Sequence, residues 1–383
     1  MFSFQTKTRV VFGADAVRTL GEEVKALGAK KVLVVTDRGI IKAGLFEKVE
    51  EPLLKDGIEI AIFDDIEPNP KDTTIVRGAQ CLEDERADAV IGFGGGSSMD
   101  VAKAISVMSM NEGTVEQYCA AFDCWPNPPK PIVAVPTTAG TGSEVSAASM
   151  ITNAQKGVKM MMLGRSILPA TAVVDPVLTI GLPPHLTAQT GVDALSHAVE
   201  ACVSIGANPI SDAIGFQAIE LIVNNIRKAY ANGKDIEART NMMLGSTMAM
   251  MAAANAGLGI IHSMAHALGG QYDLSHGLSI AVCFPDGLEY NATAVPEKCA
   301  KIAQVMGKST ANMSIVDAAK TVVDALRELL EDLGFEQNLE SLGVEKESFP
   351  HLAEICMADG CTPFSPRTID AEGFIGLYER AYA

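Results

Sequence analysis

Residues 87–108, ADAVIGFGGGSSMDVAKAISVM, have the pattern of a buried strand, a glycine turn and a helix. The apolar run ends at three consecutive glycines, and Ser97 and Ser98 lie in the first turn of the helical pattern. Such a turn lets the backbone approach an anionic group, which the exposed N–H groups and the dipole of the helix start favour. The alternative is a plain tight turn, because one glycine turn is a weak signal.

The same alternation of strand and helix patterns recurs up to Pro183 and then stops. Further β-branched runs bounded by Gly, Pro or Asp lie at 30–37, 58–65, 131–138 and 171–176. Continuous apolar runs indicate strands covered on both faces, so residues 1–183 predict a Rossmann-like α/β domain with a parallel sheet. Long helical patterns follow at 186–204, 211–233 and 316–334, and residues 184–383 therefore predict an all-α domain.

Composition and charge exclude several classes of partner. Of the 383 residues 48% are apolar, enough for a sizeable core, and the net charge of −17 repels phosphate backbones and anionic lipids. We expect neither nucleic acid nor a membrane as partner. Eight scattered cysteines without a CxxC pair are typical of reduced thiols, and the N-terminus lacks the apolar region of a signal peptide. These features predict a cytoplasmic globular protein.

One stretch competes with that interpretation, because residues 241–272 contain no Asp, Glu, Lys or Arg. This exceeds the roughly 20 residues of a spanning helix. However, the stretch is rich in Gly, Ala, Ser and Met, and it contains Asn255 and two histidines. We predict a helix buried on all sides in a globular core.

A second polar glycine loop, PTTAGTGSE at 136–144, also follows a predicted buried strand. Both loops should open at the carboxyl edge of the sheet, where nucleotides bind. Asp37 ends another strand, where a carboxylate binds ribose hydroxyls, although a solvated Asp that opens a turn fits as well. Because Asp37 precedes the glycines, the arrangement is not the ordinary dinucleotide fingerprint.

The second half concentrates potential metal ligands. Asp193 and His197 lie four residues apart on a predicted helix, His262 and His266 repeat that spacing, and His276 follows a ten-residue loop. Taken singly, each histidine fits a buried side chain bonded to a backbone carbonyl. Together, three imidazoles and a carboxylate suit Zn²⁺ or Fe²⁺ rather than Ca²⁺ or Mg²⁺. Spacing leaves open whether His262 or His266 is the ligand and which one transfers protons.

These motifs carry a resemblance to a known family. GGGSSMD (94–100), PTTAGTGSE (136–144), TGVDALSHAVE (190–200) and HSMAHALGGQYDLSHG (262–277) stand in its order and spacing. The chain resembles the iron-dependent (group III) alcohol dehydrogenases along essentially its whole length. The resemblance implies a dehydroquinate synthase-like architecture, an NAD-binding domain at 1–183, a metal and substrate domain at 184–383, and a homodimer or larger homo-oligomer.

The resemblance also implies roles for individual residues. The metal ligands would be Asp193, His197, His262 and His276, and His266 would lie near the nicotinamide and the substrate. Lys159 would face phosphate oxygens, and Asp37 would favour NAD over NADP. The residues that would hold NAD are Asp37, Asn69, Gly95, Gly96, Ser97, Asp100, Thr137, Thr138, Thr141, Lys159 and Leu178.

The departures from relatives concern the substrate pocket. Ala147 and Ala148 stand where relatives often carry larger or polar side chains, and Ala253 occupies a position that can be aromatic. They predict a roomier pocket or a differently shaped substrate. Cys361 is expected near the pocket, with a small buried filler as the alternative.

The expected activity is hydride transfer between NAD(H) and a primary alcohol or short-chain aldehyde. Fe²⁺ or Zn²⁺ would act as a Lewis acid, and His266 would relay the proton. The alternatives are a polyol (glycerol-type) dehydrogenase, a dehydroquinate synthase-like lyase, and a metal-binding protein without turnover. The four-ligand set with PTTAGTGSE argues against the first two, and the presence of cofactor loops together with a ligand set argues against the third.

Overall fold

A parallel sheet organises one of the two units into which the chain divides. In the computed structural model, which describes residues 1–382, this unit spans Thr6–Leu182. Its strands are β1 (Arg9–Phe12), β2 (Lys31–Val35), β3 (Glu59–Phe63), β4 (Ala89–Gly94), β5 (Ile132–Pro136) and β8 (Thr171–Val174). Their order is β1-β8-β5-β4-β2-β3, with every neighbouring pair parallel. The predicted parallel α/β sheet is confirmed.

Helices cover both faces of this sheet. They are α1 (Leu20–Ala26), α2 (Arg38–Lys42), α3 (Glu47–Lys55), α4 (Asp72–Asp84), α5 (Gly96–Met108) and α6 (Val115–Tyr118). Alternate residues of β2 enter different cores: Leu33 and Val35 pack with residues of α4 and α5, and Val32 and Val34 pack with residues of α1 and α3. This two-sided burial explains why the strands are continuously apolar.

A hairpin that the sequence did not predict follows the second glycine loop. It joins β6 (Ala148–Asn153) to β7 (Val158–Leu163) as an antiparallel pair outside the main sheet. Along β6 the side chains alternate between buried and half-buried, so this strand carries polar residues between its apolar ones and lacks the continuous apolar run of the main-sheet strands. This weaker pattern explains why the sequence did not predict the hairpin.

The other unit is helical, as predicted, and comprises the chain from Pro183 together with Met1–Gln5. Gln5 N–H donates to Asn255 Oδ1 at 2.7 Å, so the first residues belong with the helices. The helices are α7 (Pro184–Val203), α8 (Pro209–Ala231), α9 (Ile236–Ala256), α10 (Ile260–Tyr272), α11 (His276–Ala292), α12 (Pro296–Val305), α13 (Ile315–Asp332), α14 (Phe349–Ala358) and α15 (Ala371–Tyr382).

The uncharged stretch is not the single buried helix that we predicted. It contains most of α9 and all of α10, which bend by 104° at a short break. Gly257 has φ 82, a conformation that favours glycine, and Ser204 Oγ donates to the last carbonyl of α9, that of Ala256, at 2.5 Å. Among residues 1–382 no single helix has the length and apolar composition to cross a bilayer, and only this bent pair passes that test.

The position of His276 also differs from the prediction. α10 continues to Tyr272, so the expected ten-residue loop shrinks to residues 273–275. His276 is the first residue of α11 rather than a loop residue. A helix start restrains its backbone more than a loop does.

Candidate active site

One carboxylate oxygen lies among three imidazoles in the helical unit. Asp193 and His197 lie one turn apart on α7, His262 is in the first turn of α10, and His276 begins α11. Asp193 Oδ1 is 3.3 Å from His276 Nε2, 3.8 Å from His262 Nε2 and 3.8 Å from His197 Nε2. The ligand atoms of Asp193, His262 and His276 all lie within 4.8 Å of one another. The fold therefore gathers the four residues that the resemblance implies as ligands.

This arrangement fits a bound cation. Within the described part of the chain, Asp193 Oδ1 and His262 Nε2 are buried and have no hydrogen-bond partner. Leaving such atoms unsatisfied is costly. Two ligands of a tetrahedral ion at about 2.0–2.2 Å lie roughly 3.4 Å apart, close to the separations found here. The set of nitrogen and carboxylate donors suits Zn²⁺ or Fe²⁺.

Electrostatics favour an ionised Asp193 and an uncharged His262, the states in which these two residues bind a metal. Burial raises the pKa of Asp193, but the nearby His197 and His276 more than offset this and lower it overall. Burial and the neighbouring imidazoles hold the pKa of His262 well below its ordinary value. An ionised carboxylate beside a neutral imidazole is the form in which both bind metals.

Glu200, one turn after His197 on α7, supports His262 from the other side. Its carboxylate is 1% exposed and contacts His262 Nδ1, and Oε1 accepts from Ile261 N–H at 3.0 Å. Burial raises the pKa of Glu200 to about 8, although backbone N–H groups of α10 oppose the shift. We did not single out Glu200 from the sequence, yet its i+7 spacing from Asp193 was visible there.

His266 lies outside the ligand group and has a carboxylate partner of its own. Its Nδ1 is 2.9 Å from Asp359 Oδ2, and Asp359 Oδ1 accepts from Ser263 Oγ at 3.1 Å and from Cys361 N–H at 2.8 Å. Burial raises the pKa of Asp359, but these bonds and the charge of His266 prevail and lower it to about 2. No local pattern in the sequence indicates Asp359, which lies 93 residues from His266. Cys361 lies in this cluster, with His266 and Asp359.

The two glycine loops adjoin at the carboxyl edge of the sheet, as expected from their strands. Thr137 N–H donates to Gly94 O at 2.9 Å, and Gly95 and Gly96 begin α5. A Cβ on Gly96 would lie 2.7 Å from Thr141 Cγ2, so the loops can pack this closely only with glycine there. The N–H groups of a helix start at such an edge suit a phosphate.

Asp100 is already occupied by protein partners. Oδ1 accepts from Ser143 Oγ at 2.6 Å, and Oδ2 accepts from Met150 N–H at 3.0 Å. Lys103, fully buried, donates to Ser143 Oγ and to Ala148 O, both at 2.7 Å. This network joins α5 to the second loop and the hairpin, and only its Asp100 was singled out in the sequence.

Asp37 adopts the turn geometry that we kept as the alternative to ribose binding. Oδ1 accepts from Gly39 N–H at 2.7 Å and from Ile40 N–H at 3.0 Å at the start of α2. Oδ2 lies 3.7 Å from the position of a Cβ on Gly94, which places the carboxylate beside the first glycine loop. The two roles are compatible because they use different oxygens.

The remaining predicted residues belong to loops and edges of their units. Asn69 has φ 51 after β3, Lys159 is half-buried on β7, and Leu178 is buried after β8. Ser97 and Thr138 are half-buried in the two glycine loops. Of the alanines predicted at the substrate pocket, Ala147 and Ala148 lie at the start of the hairpin, and Ala253 is buried in α9 in a cluster of small side chains.

Comparisons with known proteins match the whole fold. The family "Iron-containing alcohol dehydrogenase" matches residues 7–176, and "Fe-containing alcohol dehydrogenase family, C-terminal" matches residues 187–382. A 1,3-propanediol dehydrogenase of Klebsiella pneumoniae is 43% identical over 384 residues, which covers 100% of this chain and 99% of that one. An NAD-dependent methanol dehydrogenase of Bacillus methanolicus is 38% identical over 381 residues, 100% of each chain. A crystal structure of a 1,3-propanediol oxidoreductase has a TM-score of 0.97 at 43% identity and full coverage of both chains.

The chain therefore belongs to the iron-containing alcohol dehydrogenase family. The predicted family, fold class and activity as an alcohol dehydrogenase or aldehyde reductase are confirmed, and these matches favour that activity over the polyol dehydrogenase and lyase alternatives. The predicted cofactors agree with the iron of the family description and with the NAD dependence of the Bacillus methanolicus relative.

Proposed function

We propose that Asp193, His197, His262 and His276 hold a divalent cation with which this chain, using NAD(H), interconverts primary alcohols and short-chain aldehydes. The observation that carries the proposal is the buried Asp193 Oδ1, which faces imidazole nitrogens and has no hydrogen-bond partner within residues 1–382. Fe²⁺ is the proposed native ion, as in the family description, and Zn²⁺ suits the same donors.

The cation, when bound, would supply Lewis acidity toward the substrate oxygen. The chain itself contributes a negative charge and a site from which water is excluded. Asp193 brings a negative charge into a site where its side chain is only 3% exposed. Exclusion of water strengthens every electrostatic interaction there. The apolar faces of α7 and α10 therefore stabilise the core and also strengthen the electrostatic interactions of the site by excluding water.

We assign proton transfer to His266. Its Nδ1 is bonded to Asp359, so Nε2 is the nitrogen that exchanges the substrate's hydroxyl proton. During alcohol oxidation the ring takes up that proton, and during aldehyde reduction it returns it. The ring is 13% exposed, which gives the proton a route to solvent.

For the cofactor, we propose that the two glycine loops and the residues around them hold NAD(H), which would accept and return the hydride. The close packing of Gly96 on Thr141 and the helix start at Gly95 support a phosphate position there. Asp37 would favour NAD over NADP through Oδ2. Because both oxygens of Asp100 bind protein groups, we propose that Asp100 acts by fixing the second loop. The other members are Asn69, Ser97, Thr137, Thr138, Lys159 and Leu178.

Short primary alcohols, including diols, are the proposed substrates. The Klebsiella pneumoniae relative is named for 1,3-propanediol and the Bacillus methanolicus relative for methanol. Ala147 and Ala148 stand where relatives often carry larger or polar side chains, which supports room for a diol beside the start of the hairpin. Measuring kcat/KM for a panel of short alcohols and diols with NAD⁺, and for the corresponding aldehydes with NADH, tests which of these substrates the enzyme prefers.

Two histidine variants test the assignment. We expect His262→Ala to lose bound metal and turnover, and His266→Ala to keep metal and lose mainly rate. His351→Ala is the matched control, since that side chain is 60% exposed on α14. Metal analysis and NADH formation are measured on each purified protein. Equal metal loss in His262→Ala and His266→Ala would overturn the distinction between ligand and proton carrier.

We further propose a homodimer or larger homo-oligomer that works in the cytoplasm, without a nucleic acid or membrane partner. The net charge of −17 supports the lack of anionic partners. The cysteines of the described chain are all free, which suits a reducing compartment. Light scattering of the purified protein tests the assembly, and a monomer would contradict it.

A further inference from the structure

Glu200 is a buried carboxylate that has no role in the proposed function so far. It follows Asp193 and His197 on the same face of α7. One oxygen accepts from Ile261 N–H at 3.0 Å, and the other contacts His262 Nδ1. A single side chain thus joins the start of α10 to the ring of a proposed metal ligand.

The contact determines which nitrogen of His262 faces the candidate metal. With Nδ1 bonded to Glu200, only Nε2 remains, and it lies 3.8 Å from Asp193 Oδ1. In the described chain this Nε2 has no hydrogen-bond partner. A carboxylate behind the ring fixes both its tautomer and its orientation.

The backbone fixes the carboxylate independently of the ring. A Cβ on Gly259 would lie 2.8 Å from Glu200 Oε1, so this approach requires a glycine at the break between α9 and α10. The Ile261 N–H bond belongs to the first turn of α10, where N–H groups have no partner within the helix. Glu200 would therefore stay in place if the ring of His262 moved.

We propose that Glu200 is a positioning residue that directs His262 Nε2 toward the metal. The inference rests on the proposed metal site. Loss of such a carboxylate typically weakens metal binding by about 10- to 100-fold, which is the effect expected here.

The test compares Glu200→Gln with Ser204→Ala. Gln keeps the size of the side chain and exchanges one carboxylate oxygen for an amide N–H2 group, which cannot accept a hydrogen bond from His262 Nδ1. The Ser204 side chain supports the same helix break by donating to Ala256 O, and among the described residues it forms no hydrogen bond with His262. The Zn²⁺ dissociation constant is measured on metal-stripped protein by competition with a chromophoric chelator, alongside the melting temperature of each apoprotein.

We expect Glu200→Gln to raise the dissociation constant by about 10- to 100-fold and Ser204→Ala to change it less than about twofold. Parental affinity in Glu200→Gln would overturn the inference. Equal weakening in Ser204→Ala would also overturn it, because helix stability would then explain the loss. If Glu200→Gln does not fold, Glu200→Asp, whose carboxylate is one methylene shorter, takes its place with the same two outcomes.

His262→Ala in the same titration separates this inference from the proposed function. If His262→Ala binds Zn²⁺ as tightly as the parent, the metal site itself is wrong and the inference falls with it. If His262→Ala loses Zn²⁺ and Glu200→Gln does not, only the role of Glu200 is wrong.

Discussion

Replacement of Asp359 by Asn would separate proton transfer from metal binding. The side chain is 17% exposed and bonds His266 Nδ1 at 2.9 Å, while its other oxygen accepts from Ser263 and Cys361. Asn keeps the shape and removes the charge. Asp359 is not a member of the Asp193 group, so bound metal should stay at the parental level.

The size of the stability effect follows from the pKa of Asp359, about 2 against an ordinary 3.8. Lowering the pKa from 3.8 to about 2, at about 1.36 kcal/mol for each factor of ten in the proton concentration, stabilises the folded protein by about 2 kcal/mol. Because the pKa is lower in the folded protein, this stabilisation is present above about pH 4 and is lost as the pH falls through 2. We expect the variant to be about 2 kcal/mol less stable at pH 5, with the gap closing toward pH 2.

The rate effect follows from the lost hydrogen bond to a charged group. Such a bond contributes about 1.5–3 kcal/mol, which corresponds to a fall in kcat/KM of roughly 10- to 100-fold if the proton-transfer step needs it. Urea unfolding at pH 5 and pH 3, metal content and NADH formation are measured on both proteins. Asp332→Asn is the control, since its exposed pair with Arg227 contributes at most about 1 kcal/mol. Parental kcat/KM in Asp359→Asn would refute the reasoning, and loss of metal would place Asp359 in the metal site instead.

Two further predictions concern the cofactor loops and the metal. Gly96→Ala would put a Cβ 2.7 Å from Thr141 Cγ2, so NADH affinity measured by fluorescence should fall at least about tenfold with metal content unchanged. Gly181→Ala, with nothing within 4 Å of its Cβ, is the control, and equal losses would argue against the loops. Chelation of the metal should lower the melting temperature, because the buried Asp193 Oδ1 and His262 Nε2 then lack partners. Zn²⁺ added at 100 times its dissociation constant should restore about 2.7 kcal/mol of the free energy of unfolding. A melting temperature that chelation leaves unchanged would argue against a bound ion.

The strands were predictable because each is buried on both faces. Val32 and Leu33 are adjacent, yet they enter opposite cores, so β2 must be apolar throughout. The long helices were predictable from period alone, as in α13, whose N-terminus is capped by Ser314. The break at Gly257 was not, because the side chain that bonds the end of α9 belongs to Ser204 on another segment.

The site was predictable only where its members share a helix. Asp193 and His197 are neighbours by spacing, and the resemblance joined them to His262 and His276. Asp359 lies 93 residues from His266, so no local pattern could pair them. Lys103 appears as an ordinary helical lysine, and its burial depends on Ser143 and Ala148, which are 40 and 45 residues away.

The absence of charge in the stretch around α10 follows from where the carboxylates lie. His262 and His266 each direct Nδ1 to a carboxylate outside α10, on Glu200 and Asp359. The two rings differ in their relation to the metal-ligand group. His262 Nε2 lies 3.8 Å from Asp193 Oδ1, whereas His266 does not belong to the group of Asp193, His262 and His276. Spacing alone had left the two equivalent. Because a ligand must share the ion with the other donors, this geometry favours His262 as the ligand and leaves His266 to exchange protons.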